Sequence, residues 1–252
     1  MRRPVPALLL AAVTAVSAAA DGYDPPEVRY ENRPYNGKFT FARVRFRPSD
    51  WGPGNYMWGL DLKWNHDYPR AESHFTRILS EITTVDTNVG GGNVLAIDDP
   101  ELSKYPVAYL CEPGFLTLND KEAASLRAYL LKGGFLIVDD FAGRQWEPFA
   151  AQVAKALPGS RFTELDNAHP IFDSFFRVED PRAFPHPYFR TEPNYLGLFE
   201  DNDPAKRLMM VVNYNQDISE YWEWSDTGAL PIHLANEAYK LGVNYVTYGM
   251  TH

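Results

Sequence analysis

The chain has 252 residues, with 24 Lys and Arg against 33 Asp and Glu and a net charge of −9. That acidic balance, with no basic run anywhere, argues against a nucleic-acid partner held through its phosphate backbone. One cysteine, Cys111, excludes an intramolecular disulfide, and the length suits one sizeable core.

The first twenty residues (1–20) read as a signal peptide. Arg2 and Arg3 form a short positive start, Ala7 to Val16 is apolar but too short to span a bilayer, and Ser17-Ala18-Ala19-Ala20 suits a signal peptidase. The short apolar region disfavours an uncleaved membrane anchor. No cysteine lies nearby for lipid anchoring, and the twin arginines lack the rest of a Tat motif, so Sec export is expected. Other apolar runs, such as Leu208 to Val212, are also too short to span. The expectation is an exported protein, periplasmic or extracellular, with no transmembrane span after cleavage. Losing Arg2 and Arg3 takes the basic count from 24 to 22 against 33 acidic residues, a net charge of −11.

Residues 21–38, with Pro25, Pro26, Pro34 and Gly37, read as an extended leader, and 39–252 as a single α/β domain. Phe39 to Phe46 alternates apolar and polar positions, as a half-buried strand does. Residues 49–69 form a long loop carrying Trp51, Tyr56, Trp58, Trp64, Tyr68 and the pair His66-Asp67. Phe75, Ile78, Leu79 and Ile82 then fall on one helical face. Gly90-Gly91-Gly92 is expected to break the chain, with a short strand at Val94 to Ile97. Val107 to Cys111 reads as a buried strand. Asn119 and Glu122 form a capping box for a helix that buries Leu126, Tyr129 and Leu130 and stops at Gly133-Gly134. Phe135 to Val138 is a third buried strand, ending in Asp139-Asp140. Trp146 to Leu157 is amphipathic, Leu208 to Asn213 is a late strand, and Leu234 to Met250 is helical despite Gly242. Apolar strands alternating with helices predict a parallel sheet.

The block from Leu116 to Asp140, His169-Pro170-Ile171-Phe172, Ser219-Glu220-Tyr221-Trp222-Glu223-Trp224-Ser225-Asp226 and the closing Lys240 to Val246 and Thr251-His252 resemble the bacterial family catalogued as domain of unknown function 4159. The resemblance covers nearly all of 39–252. It implies an α/β fold of flavodoxin-like / class I glutamine amidotransferase-like type: a parallel sheet with helices on both faces. The family's activity is unassigned. Longer relatives look like membrane proteins carrying von Willebrand A-like regions and neighbour MoxR-type ATPases, which implies an association role as readily as an enzyme. Amidotransferases of that group carry a Gly-x-Cys-x-Gly elbow; this chain has Asp139-Asp140-Phe141-Ala142-Gly143, so that nucleophile is absent.

Ligands of open α/β sheets sit at the carboxyl ends of strands. That edge gathers Glu112, Asp139, Asp140, Asn213 and Asn215. Asp139 or Asp140 reads as a general base or metal ligand, or else Asp140 turns the chain towards Trp146. His66 and His169 are the weak metal candidates; no His-x-x-x-His spacing supports them, no metal is expected from the sequence and no cofactor is indicated. His169-Pro170 also reads as a helix start. Glu220 and Glu223, interleaved with Tyr221, Trp222 and Trp224, suit a carbohydrate or cationic ligand, or else form an amphipathic turn with the rings in the core. With Trp58, His66 and Asn213, these aromatics form the candidate ligand-binding set. Cys111 reads as a buried, inert thiol.

Two functions follow. One is an exported non-catalytic binding or assembly domain of the cell envelope, with a protein, small-molecule or carbohydrate partner. The other is a hydrolase-like enzyme built on Asp139, Asp140, His169, Glu220 and Glu223, acting on a carbohydrate or cell-wall-related substrate. They differ on whether carboxylates and a histidine converge in reach of one another.

Overall fold

A computed structural model describes residues 30–49, 54–56 and 59–252; the expected signal peptide, Trp51 and Trp58 lie outside them. The body from Glu31 to His252 is built on a seven-stranded sheet. Its strands are β1 (Phe39–Arg45), β2 (Thr87–Ala96), β3 (Val107–Cys111), β4 (Phe135–Phe141), β5 (Phe162–Glu164), β6 (Asn194–Phe199) and β7 (Leu208–Tyr214). They lie in the order β2-β1-β3-β4-β7-β6-β5. From β2 to β7 all pairs are parallel, with β2-β1-β3-β4 in the flavodoxin-like order. The last two pairings, β7 with β6 and β6 with β5, are antiparallel.

Burial explains why the central strands read as apolar runs. Every residue of β3 is buried, as are Phe135 to Asp139 of β4, because helices cover both faces. Helices α1 (Arg70–Ile82), α4 (Ile218–Glu223) and α5 (Ile232–Thr251) pack together on one face. On the other lie α2 (Asp120–Leu131) and α3 (Trp146–Ala156), burying Leu126, Leu130, Phe149 and Val153. The capping box of α2 forms as the sequence predicts: Asn119 accepts from the Glu122 N–H at 2.9 Å, and Glu122 accepts from the Asn119 N–H at 2.7 Å. Among the described residues no helix is long and apolar enough to cross a membrane.

Two expectations are corrected. β1 is not half-buried: it lies between β2 and β3, and Phe39 to Val44 are all buried, Thr40 and Arg43 included. Gly90 to Gly92 do not break the chain but lie inside β2. A Cβ at Gly92 would stand 2.5 Å from the Phe41 carbonyl oxygen, so glycine permits a close approach beside a register shift. Strands β5 and β6 add to the expected elements; the Pro-rich segment between them hides their pairing in the sequence.

The larger core lies under α1, α4 and α5. Phe75 and Trp222 meet with ring centroids 4.5 Å apart, and Phe41 and Tyr109 at 5.2 Å. Gly242 survives within α5 because a Cβ there would lie 2.5 Å from the Trp222 ring. At the sheet edge the end of the leader is tied down: Asn32 exchanges two 2.8 Å hydrogen bonds with the Val94 backbone, covering an otherwise open strand.

Candidate carboxylate–histidine site

The site begins with the buried Arg43 of β1. Its Nη1 donates to the carbonyls of Trp64 and His66, both at 2.9 Å, while its Nε pairs with Glu72 of α1. Arg43 thus pins the loop that precedes α1 over the carboxyl edge of the sheet. In that loop Asp61 accepts from the Lys63 backbone at 3.1 Å, and Lys63 and Asp67 adopt φ of 65° and 62°. Glu112 after β3 and Asp140 near the end of β4 are also left-handed, at 48° and 60°. Non-glycine residues in this region concentrate at functional sites.

The side chains converge. His66 Nδ1 lies 3.2 Å from Glu112 Oε1 and 3.5 Å from Asp140 Oδ2, and Nε2 lies 3.1 Å from Asp61 Oδ1. Burial opposes a charge on His66, but Asp140 and Glu112 overcome it and raise its pKa to about 11. The Cys111 thiol donates to Asp140 Oδ2 at 3.2 Å. Burial, then Asp140, pushes that thiol well above its ordinary range. The Ser219 hydroxyl donates to Asp67. Burial, Asp140 and Glu220 hold Asp67 well above the usual carboxylate range, and burial with Asp140 and Asp67 does the same to Asp217. Glu112 is raised by burial and Asp140, and Glu223 by burial and Glu220. Carboxylates crowded in a poorly solvated place retain protons.

Among the described residues three groups could hold a metal, each with ligand atoms within 4.8 Å of one another: His66, Glu112 and Asp140; Asp67, Cys111 and Asp140; Asp67, Glu220 and Glu223. The first mixes imidazole and carboxylate, as zinc, iron or manganese sites do; the third is all oxygen, as magnesium and calcium prefer.

The sequence candidates divide sharply. Asp140, His66, Glu220 and Glu223 are brought together, the last two through Asp67. Asp140 does not cap α3, whose first turn has no side-chain cap. Asp139 is fully committed to the fold. It accepts from Asn213 Nδ2 (3.0 Å) and from the backbone N–H groups of Ile218 (3.0 Å) and Ser219 (3.1 Å), with the Tyr109 hydroxyl 2.8 Å away. Burial and Asp140 still raise its pKa to about 6. Asn213 in turn accepts from Tyr245 at 2.9 Å, so it also ties elements together. His169 stands apart, accepting from the Ile171 N–H as the cap of a short turn and meeting the rings of Phe199 and Tyr248.

Tyr221 and Trp222 are corrections to the ligand-binding set: both are fully buried, because α4 turns them into the core between α1 and α5. Trp224 carries the Arg70 guanidinium 4.9 Å over its ring. Trp58 lies outside the described residues. Sequence reasoning missed Asp61, Asp67 and Asp217 as site members, and also His186 and Tyr188, which reach the cluster from the segment between β5 and β6. Asp67 had a signal, the polar His-Asp pair before a helix; His186 and Tyr188 had none beyond a Pro-rich loop.

Fold and site define a flavodoxin-like α/β domain with a carboxylate–histidine cluster at the carboxyl edge of its sheet. The chain belongs to the family described as Domain of unknown function (DUF4159), whose model matches residues 40–250. No curated protein matches it.

Proposed function

We propose that the protein is an exported, hydrolase-like enzyme using carboxylates and a histidine, acting on a carbohydrate or cell-wall-related substrate. One observation carries the reading: His66, Asp140, Asp67, Glu220 and Glu223 form a continuous cluster at the edge where this fold class binds ligands. Hydrolysis needs a base and an acid side by side, and such a cluster separates those roles by crowding. His66 and Cys111 both address Oδ2 of Asp140. Its Oδ1 takes a proton from a water whose oxygen bonds to the electrophilic carbon. Asp67, whose pKa burial, Asp140 and Glu220 raise, serves as the acid and gives its proton to the departing oxygen as the carbon–oxygen bond breaks. His66, fixed by Asp61 and Glu112, keeps Asp140 in place.

The test is hydrolysis of cell-wall glycan fragments by the purified mature protein and its Asp140→Asn and Asp67→Asn variants. Loss of turnover with folding retained supports the reading; unchanged turnover in both variants removes it. Export is tested by N-terminal sequencing of protein from the envelope, expected to begin between Ala18 and Asp21; retention of Met1 sinks that part.

A binding or assembly role is the second reading, favoured by a separate feature. A groove of about 610 Å³ between α1 and α5, lined in part by the exposed Ile82 and Ile232, offers an apolar contact apart from the carboxylate–histidine cluster. Capture of a specific envelope protein by wild type, lost in Ile232→Asp, would favour this role, provided no hydrolysis is found.

A further inference from the structure

Outside the acid cluster, two large aromatics that follow one another in the chain stand exposed to solvent. Tyr188 is 64% exposed and Phe189 59% exposed. Neither is loosely held. The Tyr188 hydroxyl donates to Glu220, which is itself buried, so the ring is anchored to the cluster by its polar end. The backbone N–H groups of Tyr188 and Phe189 both donate to Nδ1 of the buried His186, at 3.1 and 3.3 Å. The Phe189 ring packs on the His186 imidazole with centroids 4.7 Å apart. Because Nδ1 accepts both bonds, a neutral His186 carries its proton on Nε2. Burial favours that neutral form by lowering the His186 pKa. The arrangement is a pre-ordered aromatic ledge beside the reaction centre, and pre-ordering reduces the entropy lost when a ligand binds.

The surroundings narrow the ligand. Acidic side chains repel phosphates and acidic sugars. The Tyr188 hydroxyl and the Glu220 carboxyl set hydrogen-bonding groups beside an exposed ring, as a polyol requires. A pyranose ring has a C–H face for an aromatic surface and hydroxyls for carboxyl groups. We propose that Tyr188 and Phe189 form a sugar-binding subsite that seats an uncharged pyranose next to Glu220. The inference rests on reading the cluster as a reaction centre, and it moves the stacking role from Trp222 to this ledge.

The experiment titrates the full mature protein with two uncharged probes, the tetramers of N-acetylglucosamine and of glucose, and with tetralysine, following ligand-detected NMR and tyrosine fluorescence. Wild type is expected to bind at least one glycan and to prefer it to tetralysine. Phe189→Ala and Tyr188→Ala should weaken glycan binding roughly three- to tenfold, the scale of one lost aromatic contact. Tyr188→Phe, which keeps the ring, should lose less than Tyr188→Ala. Melting curves confirm that each variant is folded; because Phe189 is largely exposed, its removal leaves the core intact. No glycan binding by wild type, a preference for tetralysine, or unchanged affinity in both alanine variants overturns the proposal. Glycan binding without hydrolysis leaves the subsite standing and removes the enzyme. Hydrolysis of a substrate with a KM unaffected by Phe189→Ala does the reverse.

Discussion

The Ser219 hydroxyl donates to the Asp67 carboxylate across a separation of 152 residues, joining the loop before α1 to the first turn of α4. That bond favours the ionised form of Asp67 against the burial that opposes it. In Ser219→Ala, Asp67 loses this donor, so its pKa should rise further and stability should fall by about 1–3 kcal/mol, the cost of an unmet buried acceptor. Urea denaturation reads the stability. If Asp67 is the acid of the proposed hydrolysis, the alkaline limb of its pH–rate profile should move to higher pH in this variant; an unmoved limb rules Asp67 out as that acid.

Stability should fall as pH rises, from about pH 4 upward. Asp67, Glu112, Asp139, Asp217 and Glu223 all have raised pKa values in the folded chain. Between the ordinary carboxylate range and those raised values, the folded state binds more protons than the unfolded one, so deprotonation favours unfolding. For Asp139 the window runs from 3.8 to about 6. His66 adds a second window of the same sign. Its folded value of about 11 lies above the ordinary 6.5, so its stabilisation is complete below 6.5 and is lost towards 11. Each unit of separation is worth on the order of 1.4 kcal/mol. Chemical denaturation at pH 5, 7 and 9 should give a descending series, with a shallower alkaline limb in His66→Asn.

Arg43 and Glu72 form a fully buried ion pair. Removing one partner strands the other charge, so Arg43→Met or Glu72→Leu alone should cost roughly 3–5 kcal/mol, while the double variant should recover much of that loss. Arg43 also holds the carbonyls of Trp64 and His66, so the double variant should fold yet lose activity as the loop shifts. A double-mutant cycle by denaturation, paired with an activity assay, separates the two effects.

Cys111 should be silent to thiol reagents in the folded protein. Its side chain is buried, and burial beside Asp140 disfavours the thiolate. Native protein should remain unlabelled and denatured protein should label once per chain. Rapid native labelling would mean that the cluster is open to solvent from the Cys111 side.

Much of the fold was legible because local patterns agreed with it. Val107–Cys111 and the α2 capping box carry their own signals, in apolar runs and in a side chain that accepts from a nearby backbone N–H. The central position of β1 was not legible, since Arg43 looks like a solvent-facing residue until Glu72 and two carbonyls are brought to it by the fold. Strand-end placement pointed to Asp140, and the His-Asp pair marked the loop at His66. Which of Asp139 and Asp140 faces the cluster depends on a left-handed backbone turn at Asp140, and that follows from tertiary context. Likewise, whether Trp222 or Glu223 faces outward depends on where a six-residue helix docks.

That last ambiguity is now a test within one segment, because α4 places neighbouring residues in opposite roles. Trp222 is fully buried against Phe75 and Tyr239, so Trp222→Ala should cost about 3–5 kcal/mol whatever the ligand. Glu223 is half-buried, with a pKa raised by burial and by Glu220. Glu223→Gln removes a like charge without changing shape, so stability at pH 7 should be unchanged or slightly higher. Glu220→Gln keeps an oxygen for the Tyr188 hydroxyl and should also fold. If the two carboxyls serve the ligand, each variant should weaken glycan binding by about 1–3 kcal/mol, the scale of a hydrogen bond to a charged group. A thermal melt beside a glycan titration decides the matter. Loss of the fold in both Gln variants would instead make Asp67, Glu220 and Glu223 a structural network and would shift the proposed chemistry to His66, Glu112 and Asp140.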